Sequence, residues 1–109
     1  MANSSKLFLF VIAITILTGC ASGPPAKLLE MHDHGALAKW YEQEAISLRA
    51  RAEEMRTMVR EVRDYDSQGF YVDKLTLVKH CGDLADDYSR AADKAEELAQ
   101  IHRGRQAAQ

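Results

Sequence analysis

The chain has 109 residues and a formal charge of -2, with 47% hydrophobic residues and two cysteines. That length allows one small domain at most, and charges of both signs are interspersed, so no basic face for nucleic acid is expected. No polybasic cluster suited to anionic lipid is present either, so any membrane attachment must have another origin.

Residues 1–19 read as an export signal. Lys6 is a positive flank, and Leu7 to Leu17 is an apolar run broken by Thr15 alone. At about 11 residues the run is too short to span a ~30 Å hydrocarbon core as a helix. Small residues and Cys20 follow it. Beyond Cys20 the chain becomes charged and rich in alanine, and it carries every acidic residue and every basic residue except Lys6.

Leu17-Thr18-Gly19-Cys20 resembles the bacterial lipobox, in which leucine is followed by two small residues and a cysteine. The resemblance implies a diacylglyceryl group on the Cys20 thiol, cleavage between Gly19 and Cys20, and in many Gram-negative bacteria acylation of the new amine. Each buried methylene contributes about 0.8 kcal/mol, so two or three acyl chains hold a protein on a membrane firmly where one does not. Residue 21 is alanine. In enterobacterial lipoproteins an aspartate there favours the inner membrane, so the expectation is the outer membrane, facing the periplasm. The alternatives are an ordinary signal peptide or an uncleaved anchor that happens to contain cysteine. With Cys20 assigned to lipid, Cys81 is left unpaired and no disulfide framework is expected.

Residues 20–32, with Ser22-Gly23-Pro24-Pro25, read as a flexible tether. Residues 33–109 are expected to be all-α: an antiparallel, coiled-coil-like two-helix hairpin with helices at about 33–67 and 71–103. Asp33 suits the cap of the first helix, Asp66-Ser67-Gln68-Gly69-Phe70 the turn, and His102 and Arg103 the end of the second helix. In the first helix Tyr41, Ala45, Leu48, Ala52, Met55, Val59 and Val62 alternate steps of four and three. Leu77, Cys81, Leu84, Tyr88, Ala91, Ala95, Leu98 and His102 do so in the second. That spacing predicts facing seams of 3.5-residue period, pairing Tyr41 with Leu98 and Val59 with Cys81. Val78, Ala85, Ala92 and Ala99 form a second stripe, expected to be the interaction face for another copy, giving a four-helix bundle, or for an envelope protein.

Three groups of residues could carry chemistry. His34 and His102 fall at the same end of the hairpin, where imidazoles could bind copper or zinc, with His80 as a further candidate and Glu30 or Asp33 assisting. Met55, Met58, His80 and Cys81 form a softer cluster near the turn. His80 and Cys81 are adjacent, however, and point about 100° apart on a helix. Trp40 and Tyr41 fit either core or a contact patch. No phosphate loop, paired-cysteine motif or HExxH spacing occurs in the sequence, and no serine has an evident base. The reading is therefore of no enzyme, no nucleic-acid partner, and no cofactor beyond covalent lipid unless the histidines hold metal.

The region after the tether resembles small, poorly characterised bacterial lipoproteins. The likeness lies in Asp33-His34, Leu37-Ala38, Tyr41-Glu42 and Glu44-Ala45, then in His80-Cys81, Leu84, Tyr88, Ala91-Ala92, Ala95-Glu96, Leu98-Ala99 and His102. It implies an anchored helical protein and brings no known activity. The leading expectation is a non-enzymatic structural or protein-interaction lipoprotein; the alternative is a periplasmic metal-binding one.

Overall fold

A computed structural model describes residues 23–64 and 73–109. The expected signal segment, the Gly19–Cys20 cleavage site and the Asp66–Phe70 turn lie outside the described residues. Within them are three helices: α1 (Ala26–Glu30), α2 (His34–Asp64) and α3 (Lys74–Ala107). No strand occurs among the described residues, and none of these helices is long and apolar enough to cross a membrane.

The segment read as a flexible tether is partly helical. Pro25 precedes α1, and four residues free of glycine and proline follow Ala26. The helix ends where the Asp33 amide donates to the Leu28 carbonyl and the His32 amide to the Leu29 carbonyl, the paired bonds of a Schellman ending. His32 takes the left-handed position there, with φ 52°, where glycine is usual. Its ring compensates in part, with Nδ1 2.8 Å from the Leu29 carbonyl oxygen. Asp33 then caps α2 as expected: the Ala36 amide donates to Oδ1 at 3.0 Å.

Asp73 caps α3 in the same manner, accepting from the Leu75 amide and the Thr76 hydroxyl. Those bonds, chiefly the one from Thr76, hold its carboxyl below the usual value. α3 also runs a turn beyond the expected end at Arg103. The reason is tertiary: the Gln106 side chain lies on Gly35, where a Cβ would fall 2.6 Å from Gln106 Nε2.

α2 and α3 pack antiparallel. His34–His102 and Glu42–Arg103 join the start of α2 to the end of α3, and Arg49–Glu96, Arg56–Ser89 and Met58–Cys81 follow toward the other end. The buried positions are Leu37, Ala38, Ala45 and Ala52 on α2, and Cys81, Ala85, Ala92, Ala95 and Ala99 on α3.

This corrects the expected seam on α3. Cys81, Tyr88, Ala95 and His102 belong to it, but the alternate positions are Ala85, Ala92 and Ala99 instead of Leu84, Ala91 and Leu98, with Leu77 and Val78 both half-buried. Ala92 and Ala99 are 0% exposed, whereas Leu84 and Leu98 are 44% and 38% exposed. The stripe assigned to a partner is thus inside the hairpin. The physical reason is axial approach. Ala38, Ala45 and Ala52 recur every seven residues on α2, and Ala85, Ala92 and Ala99 on α3, so methyl groups face methyl groups and the axes close toward ~8 Å. Leucines in the same layer would force them apart.

Among the described residues, seven of the nine buried ones are alanine. Each buries about one methyl group, worth about 0.8 kcal/mol, against roughly 1.5–3 kcal/mol for a buried leucine. The seam is close but thin, and it gains little from its surface ion pairs. Ala92→Leu and Ala99→Leu are expected to lower unfolding free energy by about 1–3 kcal/mol through overpacking. Gln100→Leu, one position on and exposed, should stay within about 0.5 kcal/mol. Urea denaturation of the three variants checks this rotation of α3.

Candidate functional site

The described residues concentrate their chemistry at the end of the hairpin where α2 begins and α3 finishes. His34 is the first residue of α2, and His102 lies on the last turns of α3. The two are 68 residues apart in sequence, yet antiparallel packing sets their Nδ1 atoms 2.9 Å apart. The expectation of a shared end holds, and the pair forms within one chain. The rings meet edge to edge, with centroids 5.2 Å apart and planes inclined by 28°. Tyr41, two turns into α2, lies nearly parallel to His102, with centroids 5.6 Å apart and planes at 7°. Trp40 meets Tyr41 edge-on at 5.0 Å and 87°. Both aromatic residues are half-buried, so they share the roles of core and surface.

An Nδ1–Nδ1 hydrogen bond needs one ring with Nδ1 protonated and the other with Nδ1 bare. The pair therefore holds one proton between two nitrogens, and it loses the bond when both Nδ1 atoms carry protons. His102 has its pKa lowered from the ordinary histidine value, first by burial and then by the His34 and Arg105 charges. Around it stand Arg105, the Glu42–Arg103 ion pair and Gln106. Asp33, a possible assisting ligand, is engaged as the cap of α2.

The site can do two things chemically. It can take up charge at His102, below the ordinary histidine range, and it can present two imidazole nitrogens to one cation. Among the described residues no group of three or more His, Cys, Asp or Glu side chains is placed to hold a metal ion. His80 does not join the pair. It is exposed on α3 and 22 residues before His102, roughly 33 Å away along the helix.

The second sequence-derived cluster is only partly assembled. Cys81 is a buried free thiol with Sγ 3.4 Å from Met58 Sδ. Met58 and Cys81 meet as the cluster expected, and His80 is exposed to solvent. This is sulfur packed in a seam, as methionine and cysteine commonly are.

One flank of the hairpin went unremarked in the sequence. It is a ladder of polar contacts: Glu42 with Arg103, Arg49 with Glu96 and Asp93, and Arg56 with Ser89. Glu42, Arg49 and Arg56 are spaced by seven, as are Ser89, Glu96 and Arg103, and that shared spacing was the available signal. Nearer the turn an open groove is lined by Arg56, Arg60, Lys79 and Asp83. Arg63 and Asp86 line it too; Arg56 and Arg60 share Glu53, and Lys79 pairs with Asp83, so the cations are only partly offset.

No protein family, no curated protein and no solved structure matches the chain. The site must therefore be read from its own geometry.

A histidine held below its unfolded value contributes stability in its neutral form. For His102 that contribution is complete above about pH 6.5 and is lost as pH falls through the lowered folded value. Thermal unfolding between pH 8 and pH 5 should show the midpoint falling below about pH 6.5, with the fall reduced in His102→Phe. An equal pH dependence in that variant would contradict the assignment.

Proposed function

We propose that this chain is a lipid-anchored protein of the bacterial cell envelope, whose hairpin is a non-enzymatic interaction module. The observation that carries the reading is Leu17-Thr18-Gly19-Cys20 directly after an apolar run with a lysine flank. Processing leaves Cys20 as the acylated first residue, and alanine at position 21 favours the outer membrane, facing the periplasm. Fourteen residues from Cys20 to Asp33 then lead from the lipid to α2.

The hairpin supports a binding role in two ways. Its seam is thin, and small domains with thin cores are commonly completed by another chain. It also leaves Met58, Leu84 and Leu98 substantially exposed. Its partner is a second copy, closing a four-helix bundle, or another envelope protein. In cells supplied with labelled palmitate, the label is expected on the protein and absent from Cys20→Ala. Mass spectrometry should give a mature N-terminus at residue 20. Label retained in Cys20→Ala would contradict the anchor.

A second reading, a metal-binding lipoprotein, is favoured by one observation: the 2.9 Å approach of the His34 and His102 nitrogens. Two imidazoles suit copper or zinc, with solvent or a second chain completing the coordination. This reading expects stoichiometric copper or zinc uptake in a titration of the processed protein, abolished by His34→Ala or His102→Ala and unchanged by His80→Ala. No uptake, or uptake equal in all variants, removes it.

A further inference from the structure

The two flanks of the hairpin differ in kind. One carries the ladder Glu42–Arg103, Arg49–Glu96 and Arg56–Ser89. On α3 the opposite flank presents Leu84, Ala91 and Leu98, spaced by seven and therefore in line. All three are exposed. On α2 the same flank presents Glu44, Arg51 and Met58, again spaced by seven, with Met58 reaching across to Cys81. Among the described residues neither Glu44 nor Arg51 has an ion-pair partner.

These two strips read the same under reversal. On α3, leucine–alanine–leucine is symmetric about Ala91. On α2 the pair Glu44 and Arg51 is symmetric about Ser47–Leu48, with opposite charges exchanged, while Met58 falls opposite the buried Leu37. The centres also coincide in height. Counting inward from His34–His102, Gly35–Gln106 and Met58–Cys81 sets Ser47–Leu48 opposite Tyr88–Lys94 of α3, about the height of Ala91, while the long side chains of Glu42–Arg103, Arg49–Glu96 and Arg56–Ser89 reach on toward Leu98. One two-fold axis, lying in the plane of contact and perpendicular to the helices, therefore serves both strips. It brings Leu84 against Leu98 of the second copy, Ala91 against Ala91, and Glu44 against Arg51 in both directions. The same axis brings the rim residues Asp87 and Lys94 together across the interface, in exchange for their exposed i,i+3 pairs with Arg90 and Glu97.

We propose that this flank docks a second copy of the chain antiparallel, α2 on α2 and α3 on α3, to close a four-helix bundle. The proposal deepens the interaction-module reading and rests on it, and it names a flank other than the Val78–Ala99 stripe. A closed point-group dimer needs a self-complementary patch, which is what the reversal symmetry supplies. The small residue at the centre, Ala91, lets the two α3 helices approach closely. The half-buried Leu48, Met55 and Tyr88 lie between the strips and become the interior of the bundle. One consequence follows for an anchored protein. The two lipid attachments leave from opposite ends, roughly 45 Å apart at 1.5 Å per residue, so the bundle lies along the membrane surface.

The test is crosslinking of the full chain in intact cells with a bifunctional maleimide. Ala91→Cys should yield a dimer of this chain, and Asp86→Cys, on the other flank, should not. In the Ala91→Cys background, Glu44→Arg sets like charges together and should lower the dimer yield about tenfold. The double change Glu44→Arg with Arg51→Glu restores opposite charges and should recover the yield. Circular dichroism of each variant checks that the hairpin itself is unchanged. Ala91→Cys crosslinking no better than Asp86→Cys, or no recovery in the double variant, overturns the proposal. So does a crosslink from Ala91→Cys to a different protein, although that result leaves the interaction-module reading standing. A dimer that forms while palmitate labelling fails refutes the anchor alone.

Discussion

Methyl groups facing methyl groups determine the rest of this molecule. Ala38, Ala45 and Ala52 on one helix and Ala85, Ala92 and Ala99 on the other are buried to 3% exposure or less. Their small volume lets two long helices run side by side at close range over most of their length. Close approach keeps dispersion contacts dense, since a gap of even 0.5–1 Å would forfeit a quarter to a half of each well. It also decides which residues are left out. Leu84 and Leu98, next to the alanine layers, are left at its edge.

The same constraint shapes both candidate activities. At the open end the close axes bring His34 and His102 within hydrogen-bonding distance, and Tyr41 and Trp40 shield them from one side. On the flank, the displaced leucines form an apolar strip that the hairpin cannot cover by itself. A thin seam and an uncovered strip are two aspects of one packing choice, and both favour association. The proposed lipid anchor adds to this tendency, because confining a protein to a surface raises its effective concentration toward other copies.

Several features were legible in the sequence. The 3.5-residue spacing and the scarcity of proline and glycine indicated two long helices, and the Asp33 cap followed from residue type. Tyr41, Ala45, Leu48, Ala52 and Met55 were assigned to the correct face of α2. On α3 the reading went one position astray at alternate layers, because hydrophobicity ranks leucine above alanine while packing at close range ranks them by volume. Two equally periodic stripes lay side by side, and only the matching alanine spacing on α2 distinguishes them. Helix α1 was hidden by the neighbouring Gly23-Pro24-Pro25, and the extra turn of α3 by its dependence on Gly35, a contact across more than 70 residues. The histidine pair was anticipated as a shared end. Its direct contact within one chain depended on the exact axial distance, which periodicity does not report.

The central claim is that the hairpin is completed by association. Unfolding the processed protein over a hundredfold range of concentration tests this most directly. If folding and dimerisation are coupled, mass action raises the melting midpoint with concentration. A midpoint that stays constant across the whole range, with a monomeric mass throughout, would contradict it.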